Sequence, residues 1–116
     1  MTNNRENKTI LIVERDASQQ RFLAALLGRG GWRAAMVEDQ ESAITYLVSA
    51  HGQSVEAMLI DANCKDFAFP KFITDVLLWK PNLPIVAMVN QDSVPEAVGV
   101  MRAGASDFVQ KPFTAD

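Results

Sequence analysis

A short, unbroken apolar run, Ala57-Met58-Leu59-Ile60, leads directly into the carboxylate of Asp61. Apolar residues without polar alternation are typical of a strand covered on both faces, as in a parallel sheet flanked by helices. In such sheets ligands bind beyond the carboxyl ends of the strands, which is where Asp61 stands. Because a strand-terminal aspartate also caps turns and helices, this residue alone leaves a structural and a functional interpretation open.

The rest of the chain alternates between strand-like and helix-like segments. Short apolar runs predict further strands at 9–13, 32–37, 84–89 and 107–110. Apolar residues at helical spacing predict helices at 18–27, 40–50, 70–79 and 93–103. Since the connections are short, this β-α order predicts an α/β fold, a doubly wound parallel sheet with helices on both faces.

For two of these helices the sequence also predicts which residues are buried, and for the fourth helix it predicts both ends. In the second helix, a buried stripe is predicted for Ala43, Ile44, Leu47 and Val48; in the fourth, for Val94, Ala97, Val98 and Met101. Ser93 is predicted to cap the fourth helix, with Glu96 as its capping-box partner, and Gly104 to end it. His51–Ser54 is predicted to be a loop.

Length and charge limit the classes of function. A chain of 116 residues is one domain, and a net charge of −3 without a basic block argues against direct nucleic-acid binding. No apolar run approaches the ~20 residues of a membrane span, and no signal peptide is evident. The single cysteine, Cys64, forms no internal disulfide, and His51 lacks metal-ligand spacing. A cytoplasmic protein without membrane contact is expected.

The count of elements predicts an incomplete last layer. Five strands are followed by only four helices, and the sequence stops at Thr114-Ala115-Asp116, where a fifth helix would begin. Without that helix, part of one sheet face lacks cover. We therefore expect a frayed segment 1–8 and a domain at 9–116, which is the N-terminal part of a longer protein or is covered by a partner chain.

Three features together resemble the receiver domain of bacterial response regulators: the acidic cluster after strand one, Asp61, and Lys111-Pro112 after strand five. The most specific segment is Ala103–Phe113, and Ile10–Glu14 matches the beginning of the family pattern. The resemblance runs from about Lys8 to Phe113. It implies a flavodoxin-like sheet of order 2-1-3-4-5 and a role in two-component signalling, with a histidine kinase or another signalling protein as partner.

The resemblance also assigns roles to single residues. Asp61 is the position that accepts a phosphoryl group from a phosphohistidine, and Lys111 balances its charge. Glu14 occupies the first of two acidic positions at a Mg²⁺ site, and Asn63 offers that metal a backbone carbonyl. Phe108 is the switch aromatic, or simply a core aromatic residue.

Three departures from the family pattern affect this chemistry. Arg15 occupies the second acidic position, and a permanently charged guanidinium is no metal ligand. Val89 occupies the position of the strand-four hydroxyl; valine has the shape of threonine but no donor. The loop after Asp61 reads Asn63-Cys64-Lys65-Asp66-Phe67, without the usual Met-Pro.

We therefore predict a degenerate receiver that acts as a protein-interaction module and not as an enzyme, with phosphorylation impaired or absent. In this hypothesis Arg15 takes part of the metal's place and pairs with Asp61, and with Glu14 as well. Two alternatives stay open. Asp61 still accepts phosphate, or Arg15 faces solvent and a weak Mg²⁺ site persists on Glu14, Asp61 and the Asn63 carbonyl.

Other classes of function fit less of the sequence. A small α/β phosphohydrolase would use Asp61 as nucleophile, but the expected general acid two residues later is Asn63. A flavin-binding domain would need a phosphate loop after strand one, where the acidic residues of Glu14-Arg15-Asp16 would repel an anion. By analogy with the family, a face for homodimers is expected around Val100, Arg102 and Phe108.

Overall fold

The computed structural model describes residues 8–62, 69–90 and 94–111. The strands and helices alternate as follows: β1 Thr9–Val13, α1 Ala17–Arg29, β2 Arg33–Val37, α2 Gln40–Val48, a 3₁₀ helix Ala50–Ser54, β3 Val55–Asp61, α3 Phe69–Trp79, β4 Ile85–Asn90, α4 Val94–Ala103 and β5 Asp107–Lys111. The strands form one five-stranded parallel sheet of order β2-β1-β3-β4-β5. This confirms the predicted fold class and strand order.

The chain divides into two compact units, Met1–Met58 and Leu59–Asp116. In the first unit β1 pairs in parallel with β2, from Thr9 opposite Arg33 to Val13 opposite Val37. The buried apolar residues of this unit come from both strands and helices: Leu11, Ile12, Val13, Leu23, Ala43, Leu47, Val55 and Met58.

The helices of the first unit differ in detail from the prediction. Helix α1 continues through Gly28 to Arg29 because the reversal comes later, at Gly31, whose φ is +86°. Helix α2 ends at Val48, and Ser49 caps the 3₁₀ helix by accepting a hydrogen bond from the His51 amide. The predicted loop at His51–Ser54 is therefore wrong, since these residues are helical.

The predicted stripe of α2 is only half buried. Ala43 and Leu47 lie in the core, whereas Ile44 is 40% exposed and Val48 is 61% exposed. The part of α2 that faces the core is therefore narrower than the apolar stripe that the sequence pattern predicts.

In the second unit β4 pairs in parallel with β5, from Val86 opposite Asp107 to Asn90 opposite Lys111. Helix α4 ends as predicted at Gly104, whose φ of +116° allows the Ala105 amide to bond the Val100 carbonyl. The core of this unit comes from β3, α3, β4, α4 and the connections that follow them: Ile60, Ala62, Phe72, Ile73, Val76, Leu83, Ile85, Ala87, Met88, Val89, Ala97, Val100 and Ala105.

The buried face of α4 agrees with the prediction at Ala97 but not at Val98 and Met101. Ala97 and Val100 are buried, while Val98 and Met101 are partly exposed. Ser93 lies outside the described residues, so its capping contact with Glu96 stays a prediction. The segment 112–116, where a fifth helix would begin, also lies outside them.

Candidate functional site

In the second unit, the predicted positions Asp61 and Lys111 lie at the carboxyl ends of the strands on either side of β4. Asp61 is the last residue of β3, and the following Ala62 amide donates to the Met88 carbonyl at 2.9 Å. On the other side of β4, the backbone of Lys111 is in register with Asn90. The backbone thus places the predicted acceptor aspartate and the predicted lysine position at the same edge.

The strand-four position between them has no hydrogen-bond donor in its side chain. Val89 is 1% exposed, and the next residue, Asn90, is exposed at the end of the strand. An apolar side chain at a buried position has no group with which to hold an anion at this edge.

Phe108 is not a core residue. Its side chain is 37% exposed, so the interpretation of a buried aromatic is wrong. Together with Val89 it lines a cavity between β4, α4 and β5 of about 300 Å³. The two positions that the family pattern links in switching therefore border the same space.

At the carboxyl end of β1, in the first unit, Glu14 is held as a continuation of the strand. Its amide donates to the Val37 carbonyl at 3.0 Å, and its carbonyl accepts from the side-chain amide of Gln20 at 2.6 Å. The side chain is 2% exposed, and its carboxylate accepts from the Asp16 amide at 3.2 Å. Glu14 is therefore a buried, hydrogen-bonded carboxylate.

Asp16 has a structural role that the sequence left undecided. Its carboxylate accepts hydrogen bonds from the Ser18 amide at 3.3 Å and from the Ser18 hydroxyl at 3.1 Å. These contacts cap α1 and satisfy one of the unpaired amides at its first turn. One of the two carboxylates that flank Arg15 in the sequence is thus engaged at the start of α1.

Arg15 is exposed, and its charge acts on Asp39, which caps α2. The Ser42 amide donates to the Asp39 carboxylate at 2.7 Å. This backbone hydrogen bond and then the Ser42 side chain hold the pKa of Asp39 below its ordinary value. Desolvation opposes them, and the Arg15 charge is the smallest of the effects that lower this pKa. The sequence analysis missed Asp39, although an aspartate before a predicted helix is a capping signal.

These contacts predict a pH dependence. A carboxyl with a lowered pKa in the folded state adds stability above its unfolded pKa, and that stability is lost as the pH falls through the folded value. Relative to Asp39→Asn, which keeps a capping oxygen, the native chain should be more stable at neutral pH. The advantage should shrink as the pH falls below the ordinary aspartate pKa of about 4 and vanish once the folded carboxyl is protonated as well.

Urea unfolding of the native chain and of Asp39→Asn, at neutral pH and in acid, measures this difference in stability. Arg15→Met should move the Asp39 titration midpoint upward without abolishing the cap, because Ser42 contributes more than Arg15. An advantage over Asp39→Asn that is the same at both pH values would contradict the assignment.

The carboxylates at the carboxyl end of β1 already have hydrogen-bond partners. Mg²⁺ requires oxygen ligands in near-octahedral geometry. Glu14 is engaged with a backbone amide, Asp16 caps α1, and Arg15 supplies a cation between them. Across residues 8–62, 69–90 and 94–111, no group of three or more His, Cys, Asp or Glu side chains is arranged to hold a metal ion. Asn63 lies outside the described residues.

The same described stretches contain no helix of the length and apolarity that a membrane span requires. The predicted homodimer face needs one correction. Val100 is buried at 1% exposure and therefore does not belong to a surface, whereas Arg102 and Phe108 are exposed.

Comparison with known proteins places this geometry in a family. Residues 10–116 match the family model of the response regulator receiver domain. The chain is 29% identical to the transcriptional regulatory protein FixJ of Rhizobium meliloti over 90% of its own length and 50% of that protein. It is 30% identical to the two-component response regulator-like protein APRR5 of Arabidopsis thaliana over 90% of its own length and 19% of that protein.

Among solved structures, a response regulator receiver protein from Pseudoalteromonas atlantica superimposes with a TM-score of 0.77 at 25% identity, covering 91% of this chain and 86% of that one. The chain spans half or less of the length of these two curated relatives. With the family match over nearly all its residues, the chain belongs to the response regulator receiver domains of two-component signalling.

Proposed function

We propose that this receiver domain works as a protein-interaction module in which phosphorylation at Asp61 is impaired or absent. The observation that carries the proposal is Arg15, a cation at the position where the family pattern has a metal-binding aspartate. Because Asp16 is committed to capping α1, we expect that it does not compensate for the replacement.

A second argument comes from Val89. The transferred phosphoryl group carries spread negative charge and is stabilised by cations and hydrogen-bond donors. Val89 is buried and has no donor, so the strand-four contribution is lost. In a comparable anion site, removal of one donor costs ~3 kcal/mol, or about 100-fold in rate.

The proposed module keeps the features of a receiver that partners recognise. These are the parallel sheet, the lysine position at the end of β5 and the exposed face of α4 and β5. In this proposal the partner is a histidine kinase or another signalling protein, and its binding replaces phosphate as the input.

The direct test is incubation of the native chain with acetyl phosphate and Mg²⁺, read by intact mass. We expect no phosphoryl adduct under conditions that fully modify a competent receiver run in parallel. An adduct that forms in the native chain and disappears in Asp61→Asn would establish the phosphate-accepting alternative and overturn the proposal. An unfolding curve for each variant shows that the chain is folded.

A further inference from the structure

The cavity between β4, α4 and β5 has the dimensions of a small ligand site. Its volume of about 300 Å³ is at the lower end of the range of small-molecule pockets. Val89 and Ala97 are the buried residues of its lining. Val98 at 44%, Met101 at 38% and Phe108 at 37% exposure form its open side. Three partly exposed apolar side chains around a hollow thus offer a ring-sized group a place to leave water.

The polar side chains described in this cavity are one cation and two neutral amides. Its lining includes the guanidinium-bearing Arg102 and the amides Asn90 and Gln110, and none of its described lining residues is acidic. Arg102 is exposed and forms no ion pair with any described part of the chain. The cavity therefore combines an apolar interior with a cation that is available to an anionic group.

We propose that this cavity binds a small aromatic carboxylate. The ring would occupy the apolar interior, where Phe108 and Met101 offer aromatic and sulfur contacts. The carboxylate would pair with the Arg102 guanidinium, whose fork of donors matches two carboxylate oxygens.

A small molecule fits this cavity better than a protein does. Stable protein interfaces use about 20–30 residues from each partner. The cavity is lined by eight residues, which suffices for a single ring and its acid group. An occupant would contact Val89 and Phe108 directly, so it would act on the positions that the family pattern assigns to switching. Binding itself does not depend on whether Asp61 is phosphorylated.

Titration of the ¹⁵N-labelled chain with phenylacetate, up to about 10 mM, tests the proposal, since a ligand this small is expected to bind with a dissociation constant of about 1 mM. We expect saturable shifts of the amides at 87–90, 97–102 and 108–110. Phenylacetamide, which has the same ring without the charge, should bind about 10-fold more weakly. Arg102→Gln should weaken phenylacetate binding about 10-fold and leave phenylacetamide binding unchanged.

Two further variants separate the site from general effects. Arg29→Gln removes an exposed guanidinium from the end of α1 and should leave binding unchanged. Val98→Trp should fill the cavity from its open side and abolish binding while the rest of the spectrum stays native. The proposal is overturned by the absence of saturable shifts, by shifts located elsewhere, by equal binding of the acid and the amide, or by binding only of an aromatic acidic peptide.

Discussion

Gly52→Ala is expected to lower the free energy of unfolding by about 3 kcal/mol and the melting temperature by about 10 °C. Gly52 is buried in the 3₁₀ helix, and its amide donates to the Ser49 carbonyl at 3.0 Å. An added Cβ would overlap the carbonyl oxygen of Leu47 and lie 2.6 Å from its carbonyl carbon. These are backbone atoms at the end of α2, so the clash is relieved only if the connection into β3 moves.

Urea unfolding followed by far-ultraviolet circular dichroism measures the effect. Gly28→Ala is the matched control, because a Cβ at Gly28 meets nothing within 4 Å. Gly28 lies inside α1, where alanine is favoured over glycine, so this control should gain up to about 1 kcal/mol. Surface substitutions usually change the free energy of unfolding by no more than about 0.5 kcal/mol. If Gly52→Ala changes it by no more than that, the close approach of Gly52 to Leu47 is wrong.

The double variant Arg15→Asp with Val89→Thr is expected to gain at least about 100-fold in the rate of Asp61 phosphorylation by acetyl phosphate in Mg²⁺. Arg15→Asp replaces a cation with a metal-binding carboxylate next to Glu14. Val89→Thr supplies the missing donor at the end of β4. Because the added hydroxyl is buried among apolar groups, it should also cost about 1–3 kcal/mol of stability.

Intact mass against time gives the rate, and the triple variant that adds Asp61→Asn should abolish the gain. Arg33→Asp with Val89→Thr is the matched control. It makes the same charge change at an exposed arginine at the amino end of β2, the opposite end of that strand from its carboxyl edge. A double variant that stays inert while it remains folded would show that these two positions do not account for the impaired phosphorylation that we propose.

Strand periodicity and short connections were sufficient to predict the fold. All five strands have the predicted type, and the sheet order implied by the family resemblance is the observed one. Runs such as Ile10–Val13 are unambiguous because a strand covered on both faces tolerates few polar residues. Gly104 was also predictable, since a residue that ends a helix with a positive φ is usually glycine.

Exposure and local capping were harder to predict. Val98 and Met101 fit an apolar stripe, but they line an open cavity. Helical spacing alone does not distinguish residues of the core from residues of a pocket. The 3₁₀ helix at Ala50–Ser54 depends on the hydroxyl of Ser49 and on the missing Cβ of Gly52, which period counting does not detect. The caps Asp16 and Asp39 were not predicted, although an aspartate before a helix is a capping signal, and their hydrogen bonds identify both.

Titration of the native chain and of Arg15→Asp with Mg²⁺, followed by the amide shifts of Glu14 and Asp61, tests most directly whether the arginine has replaced the metal ion. If it has, we expect no saturable shift in the native chain and a saturable shift at both amides in Arg15→Asp. Saturation of the native chain at the same Mg²⁺ concentration as the variant would contradict it.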